Sequence, residues 1–213
     1  MHYAWAMTST IKSTTEAMHH LSEADPVLGS FIADIGPITR SADEDLFSSV
    51  VRHIIGQQIS IAAQATIWQR MNDELHQINA ATLSSTSVEA LQKLGMTFRK
   101  AHYIHEYASS VNDGRFDLEA LAAMDDEQAI AALMSLKGIG RWTAEMILLF
   151  GMKRADIVSF GDLAIIRGMK HLYGLEEVDR PLFERYRSRY SPYGSVASLY
   201  LWAASKKDRS YFS

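Results

Sequence analysis

Leu136-Lys137-Gly138-Ile139-Gly140-Arg141-Trp142-Thr143-Ala144 is the stretch around which the chain is read. Apolar residues recur at helical spacing up to Leu136 and resume from Ala144 through Ile147, Leu148 and Gly151. Gly138 and Gly140 therefore fall in a tight connection between two helices, a helix-hairpin-helix. Glycines permit positive φ and close approach of another backbone, and the following helix begins with N–H groups that lack intrahelical partners and carry partial positive charge. Such a turn suits a phosphate. The plainer reading is that Gly138 ends one helix and Gly140 eases the next.

Composition narrows the class. The 213 residues, 47% hydrophobic and 22% charged, suffice for a core without staples. There is no cysteine, which excludes disulfides, thiolate zinc sites and iron–sulfur clusters. No apolar run reaches the length of a membrane span, and Met1–Thr15 lacks a basic start followed by an apolar block, so a cytoplasmic protein with no membrane partner is expected. The net charge of −4 argues mildly against nucleic acid, but its distribution argues for it. Residues 1–136 carry 8 Lys/Arg against 17 Asp/Glu, residues 137–170 carry 6 against 3, and residues 180–213 carry 7 against 2. Positive charge thus gathers at and after the hairpin, either as a solvated face or as an electrostatic footprint.

Along the chain, Met1 to about Lys12 shows no periodicity and is expected to be loose. Thr15 caps a helix that runs through Ser22, and Pro26 starts another that carries Val27, Leu28, Phe31 and Ile32 inward until Gly36-Pro37. Ser41 with Glu44 reads as a capping box ahead of a stripe made by Leu46, Phe47, Val50, Val51, Ile54 and Ile55. Gly56-Gln57-Gln58-Ile59-Ser60 interrupts, and helices follow over 61–77, Ser87 to Leu94 and Phe98 to Val111. His102 and His105 read as a surface pair rather than metal ligands, as do His19 and His20. Asp125-Asp126-Glu127 is an acidic helix start leading to Leu136. Pro192 is expected to begin a last helix. No run alternates with period two and nothing repeats, so the fold class is all-α.

Together, the hairpin string, Gly161-Asp162-Leu163 about twenty residues beyond it, Gly56-Gln57-Gln58-Ile59-Ser60 and Ser191-Pro192-Tyr193 resemble the helix-hairpin-helix DNA glycosylases, in particular the DNA-3-methyladenine glycosylase II group, over roughly residues 45–204. The resemblance implies a single helix-hairpin-helix domain over 1–213, with lobe A at about 45–150 and lobe B at about 14–40 plus 160–213, a base-binding cleft between the lobes, and no room for a separate N-terminal β domain. It implies a monomer that binds double-stranded DNA with a damaged base. The activity it implies is monofunctional: an alkylated purine of the 3-methyladenine or 7-methylguanine type is flipped out and its N-glycosidic bond is hydrolysed. The alternatives are a catalytically weak or inactive lesion-binding or abasic-DNA-binding protein, and a glycosylase for another damaged base.

Residue by residue, the resemblance puts the catalytic carboxylate on Asp162. Read alone, Asp162 is a helix N-cap; the two roles agree, because a capping carboxylate is fixed in direction and its donors favour the charged form. Where bifunctional relatives carry a Schiff-base lysine, this chain has Trp142, so no AP lyase activity is expected. Alone, Trp142 reads as a packed indole; by resemblance it walls the base pocket, where an aromatic face attracts a cationic purine. Met146, Tyr190 and Tyr193 are the further pocket candidates. Gln58 falls on the family's plug with Gln57 beside it, and Gly138, Ile139, Gly140 and Arg141 form the DNA-gripping turn. No cofactor is expected beyond a structural monovalent cation, sodium or potassium, on backbone carbonyls of Gly138 and Gly140. The chain departs from the family at Gly194, commonly arginine, at Met146, often aromatic, and in lacking a proline shortly before Asp162.

Overall fold

The computed structural model describes residues 9–206. Among them are thirteen helices and two short strands, an all-α fold with one small sheet. The chain divides into two compact units: the described residues up to Ala42 with those from Lys153 onward, and Asp43–Met152.

The first unit opens with β1 (Thr10–Lys12), α1 (Thr15–Ala24), α2 (Pro26–Ile35) and β2 (Thr39–Ser41). The strands correct the expectation of a loose start and of no strand, while Met1–Thr8 lies outside the described residues. Ile11 pairs with Arg40 in an antiparallel ladder. Ser13 fastens its end, its hydroxyl donating to Ile38 O and accepting from Ile38 N. Three residues per strand are too few to show a period of two. Thr14, not Thr15, caps α1, its hydroxyl accepting from Ala17 N, and Asp25 caps α2, each one residue ahead of its first helical residue. Val27, expected inward, is exposed, because the apolar face of α2 runs through Leu28 and Ile32.

The second unit holds α3 (Leu46–Gly56), α4 (Ile61–Leu75), α5 (Ala80–Ser85), α6 (Val88–Lys93), α7 (Phe98–Asn112), α8 (Leu118–Ala123), α9 (Asp126–Met134) and α10 (Arg141–Phe150). Asp45, not Ser41, caps α3, since Ser41 is taken up by β2. The α9 start is a capping box between Asp125 and Gln128. Val50, Val51, Ile54 and Ile55 of α3, Ile104 of α7, Leu133 of α9 and Ile147 and Leu148 of α10 are buried, each side chain worth about 1.5–3 kcal/mol of transfer free energy.

The first unit resumes with α11 (Leu163–Tyr173), α12 (Arg180–Tyr190) and α13 (Gly194–Ala204). Its core joins Leu21, Leu28, Ile165, Met169, Phe183 and Tyr200. Gly168 lets α11 run against α13 so closely that a Cβ there would collide with Leu201 O. The last helix starts at Gly194 rather than Pro192. Among the described residues no helix is long and apolar enough to cross a membrane.

Candidate functional site

In the second unit the turn between α9 and α10 is built around one glycine that must be glycine and one that need not be. Gly138 sits at φ +86, and an added Cβ would strike the Tyr103 ring. Gly140 has φ −93 and nothing within 4 Å of an added Cβ. Ile139 between them is buried and anchors the turn, its N–H donating to Leu136 O at 3.2 Å. Gly140 is the N-cap of α10 and has no side chain with which to cap it. Open space beside a helix start whose N-cap is glycine is what an incoming anion requires.

The charges here are partly spent. Arg141 Nη2 donates to Glu127 at 2.6 Å and Nε to Glu145 at 3.1 Å, while Lys137 Nζ meets Glu106 at 2.7 Å. Hydrogen bonding, to Glu127 for Arg141 and to Glu106 for Lys137, pushes both cations above their ordinary pKa values. Arg141 thus sits at the turn with its guanidinium engaged by carboxylates. Trp142, the next residue, is 45% exposed, and Met146 one turn further is buried.

The loop after α3 lies in the same unit. Gln58 is exposed and holds φ +57, a left-handed conformation that side-chain-bearing residues seldom adopt. Gln57, expected beside it on DNA, instead donates from Nε2 to Gly138 O at 2.7 Å, joining loop to hairpin. That bond bears on the expected cation. Gly138 O accepts from Gln57 and Gly140 O accepts from Ala144 N, and the second lone pair of each carbonyl is what a monovalent cation would use. Among the described residues no group of His, Cys, Asp or Glu suits a metal.

Sequence reasoning missed Lys100. Its Nζ donates to Ile55 O at 2.8 Å and Gln57 O at 2.6 Å, from a side chain only 8% exposed. The signal was its spacing, since Lys100 stands four residues before Ile104 on the inward stripe of α7.

In the first unit Asp162 is the N-cap of α11. Its Oδ1 accepts from Ala164 N at 2.8 Å and Ile165 N at 3.1 Å, and the residue is 7% exposed. Leu163 beside it is 78% exposed. Asp25 makes the same cap on α2, and its Oδ2 accepts from Tyr173 Oη and Arg189 Nη1, both at 3.1 Å.

Tyr190, expected in the base pocket, is instead a core residue. It is 0% exposed and its hydroxyl is bonded to Tyr173 Oη at 2.8 Å, within the Asp25 network. Burial pushes both phenols well above the ordinary tyrosine value. A ring enclosed in its own core presents no face to a base. Tyr193 stays partly exposed, with its hydroxyl donating to Glu16 at 2.8 Å and its ring edge-on to His20. Gly194 has a local cause: an added Cβ would lie 2.5 Å from Asp156 Oδ1, which accepts from Gly194 N at 3.0 Å. Asp156 also takes the Ser191 hydroxyl at 2.6 Å, so the carboxylate occupies the space a larger residue would need.

Against known proteins, the chain is 33% identical to the crystal structure of a DNA-3-methyladenine glycosidase from Bacillus halodurans, with a TM-score of 0.83 and 93% of each chain covered. It is 26% identical over 204 residues to DNA-3-methyladenine glycosylase 1 of Schizosaccharomyces pombe, covering 92% of this chain and 90% of that one. The S. pombe 3-methyladenine DNA glycosylase Mag1, solved in complex with abasic DNA, gives a TM-score of 0.73 at 25% identity, with 88% of this chain and 95% of that chain covered. The family described as HhH-GPD superfamily base excision DNA repair protein matches residues 51–191. With hairpin, capped aspartate and intervening helices all inside that span, the chain belongs to the HhH-GPD superfamily of base excision DNA repair proteins.

Proposed function

We propose that this protein is a monofunctional DNA glycosylase which extrudes an alkylated purine from duplex DNA and hydrolyses its N-glycosidic bond, acting as a monomer. The observation that carries the reading is Asp162, a carboxylate aimed by the first N–H groups of α11, in the place where the resemblance puts the catalytic carboxylate. The relatives' names, DNA-3-methyladenine glycosylase and glycosidase, support the substrate class.

The chemistry asks little of the protein beyond charge and position. The bond between sugar C1′ and base nitrogen breaks with its electron pair leaving on the base; an N-alkylated purine is already cationic and departs neutral. Positive charge builds on the sugar and is stabilised by the Asp162 anion, whose direction is fixed before the reaction begins. Water oxygen then bonds C1′ and its proton passes to the carboxylate or to solvent. The half-exposed Trp142 ring supplies a face for the cationic base, and the N–H groups at the start of α10 hold a backbone phosphate. Gln58, already extended to solvent at the loop tip, fills the gap in the stack.

Lyase chemistry would need a lysine amine at the sugar. By resemblance Trp142 stands where bifunctional relatives carry that lysine, while Lys137 is paired with Glu106 and Lys100 is committed to main-chain carbonyls. Borohydride treatment during turnover is therefore expected to trap no protein–DNA adduct, and a trapped adduct would overturn the monofunctional reading. The activity is tested by release of free base from methylated DNA. The native protein releases it and Asp162→Asn does not; absence of release by the native protein, or equal release by both, would sink the proposal.

A further inference from the structure

We propose that Lys100 is a positioning residue for base extrusion, fixing the loop that carries Gln58 and, through Gln57, tying that loop to the phosphate-binding hairpin. The inference rests on the glycosylase reading for the meaning of the loop, and on geometry for everything else.

The loop does little to hold itself. Its own backbone bonds, Gln57 N to Ile54 O and Ile59 N to Gly56 O, are both 3.4 Å, at the long end of hydrogen bonding. Gln58 must nonetheless stay at φ +57, a strained setting for a residue with a side chain. What over-determines it comes from outside. Lys100 reaches from α7 to the C-terminal end of α3 and gives its ammonium protons to Ile55 O and Gln57 O, the acceptors on either side of Gly56. Carbonyls at a helix C-terminus lack intrahelical donors and sit at the negative end of the dipole, so a cation satisfies both needs.

The opposite face of the turn is closed as well. Gln64 Nε2 donates to Arg52 O at 2.7 Å and packs so tightly on Gly56 that an added Cβ would lie 2.6 Å from it. From there Gln57 spans 81 residues of sequence to Gly138 O. Lys100, the loop and the hairpin thus form one hydrogen-bonded chain within a single unit, and the residue that enters the duplex and the turn that grips its backbone move together. Burying an ammonium carries a desolvation cost, which also pushes the Lys100 pKa below the ordinary lysine value with Arg99 adding to it. Both acceptors being main-chain carbonyls, the return on that cost is backbone position.

The test compares affinity for a duplex containing one abasic site with affinity for the same duplex intact, using the full chain at fixed salt, for the native protein, Lys100→Met, Lys100→Arg, Gln58→Ala and the Lys100→Met/Gln58→Ala double variant. Lys100→Met is expected to lower the abasic-over-intact ratio about tenfold, the factor of one charge-assisted hydrogen bond. Intact-duplex affinity should change by less than about twofold, because the phosphate contacts lie at the start of α10. Lys100→Arg restores part of the ratio, and the double variant is no weaker than Gln58→Ala alone. A ratio indifferent to Lys100→Met, losses that multiply in the double variant, or a native protein with no abasic preference would each overturn the proposal. Should Lys100→Met not fold, Gln57→Ala at the exposed end of the same chain takes its place, with the same non-multiplying loss against Gln58→Ala expected and independent losses contradicting it. The ratio needs no excision, so a native protein that binds this way but releases no base fails the glycosylase reading alone.

Discussion

At the start of α10 the N-cap, Gly140, has no side chain to offer and the space beside it is open; at the start of α11 the first N–H groups are filled by the Asp162 carboxylate. Both are helix N-termini with the same partial positive charge. In the second the N-cap residue supplies an anion, and in the first it supplies none. On the proposed glycosylase reading this difference gives binding to the first and chemistry to the second: a start capped by glycine can take a phosphate, whereas one filled by a carboxylate orients a negative charge toward something positive. α13 shows that lacking a cap of its own does not make an N-terminus available, since Asp156 reaches in to take Gly194 N.

The largest expected effect comes from removing the charge at α11. Asp162→Asn keeps an oxygen able to cap the helix but neutralises it, and the single-turnover excision rate should fall about 10²–10³-fold, the usual loss when one preorganised electrostatic contact is removed. The hairpin responds next. Gly138→Ala forces a side chain into φ +86 and against Tyr103, so thermal or urea unfolding should show a loss of about 2 kcal/mol or more. The two glycines are then separated by Gly140→Asp, which turns the start of α10 into a copy of the start of α11. Its backbone is already extended and its space open, so stability should rise by a few tenths of a kcal/mol. Duplex affinity should drop by about tenfold as the new carboxylate takes the N–H groups and repels phosphate.

The smallest effect lies away from both termini, in the packing under α3. His53 is held by Ser49 O at 2.8 Å, and burial lowers its pKa from 6.5 despite that bond and Asp43. The unfolded chain then binds the proton more readily than the folded one, so stability is full above about 6.5 and declines as pH falls below it. Melting curves at pH 5 and pH 7 for the native protein and His53→Gln should show a smaller acid loss in the variant; an equal loss would place the sensitivity elsewhere.

Much of this was legible in the sequence because it was written in short-range chemistry. Gly138 and Gly140 announced the hairpin through the break in helical spacing, and Asp162 announced a cap by preceding Leu163 and a new apolar stripe. Other features were hidden by length or by ambiguity of type. The strands Thr10–Lys12 and Thr39–Ser41 are too short to alternate, and the six-residue helices Ala80–Ser85 and Leu118–Ala123 are too short for an apolar face to recur. Tyr190 and Tyr193, three residues apart, look alike as aromatic candidates, and only the Asp25–Tyr173 network separates the enclosed ring from the exposed one. Lys100 was invisible for the opposite reason: a lysine on a helix reads as solvated charge, and the carbonyls it serves lie 45 and 43 residues away.

The division of labour between the two helix starts is tested most directly by measuring, on one methylated duplex, both the saturated single-turnover excision rate and the duplex affinity of Asp162→Asn and Gly140→Asp. The account predicts opposite losses: Asp162→Asn binds as the native protein does and scarcely excises, and Gly140→Asp binds weakly but excises at the native rate once saturated. If the two variants lose rate and affinity in the same proportion, the distinction between a helix start that grips and a helix start that reacts is wrong.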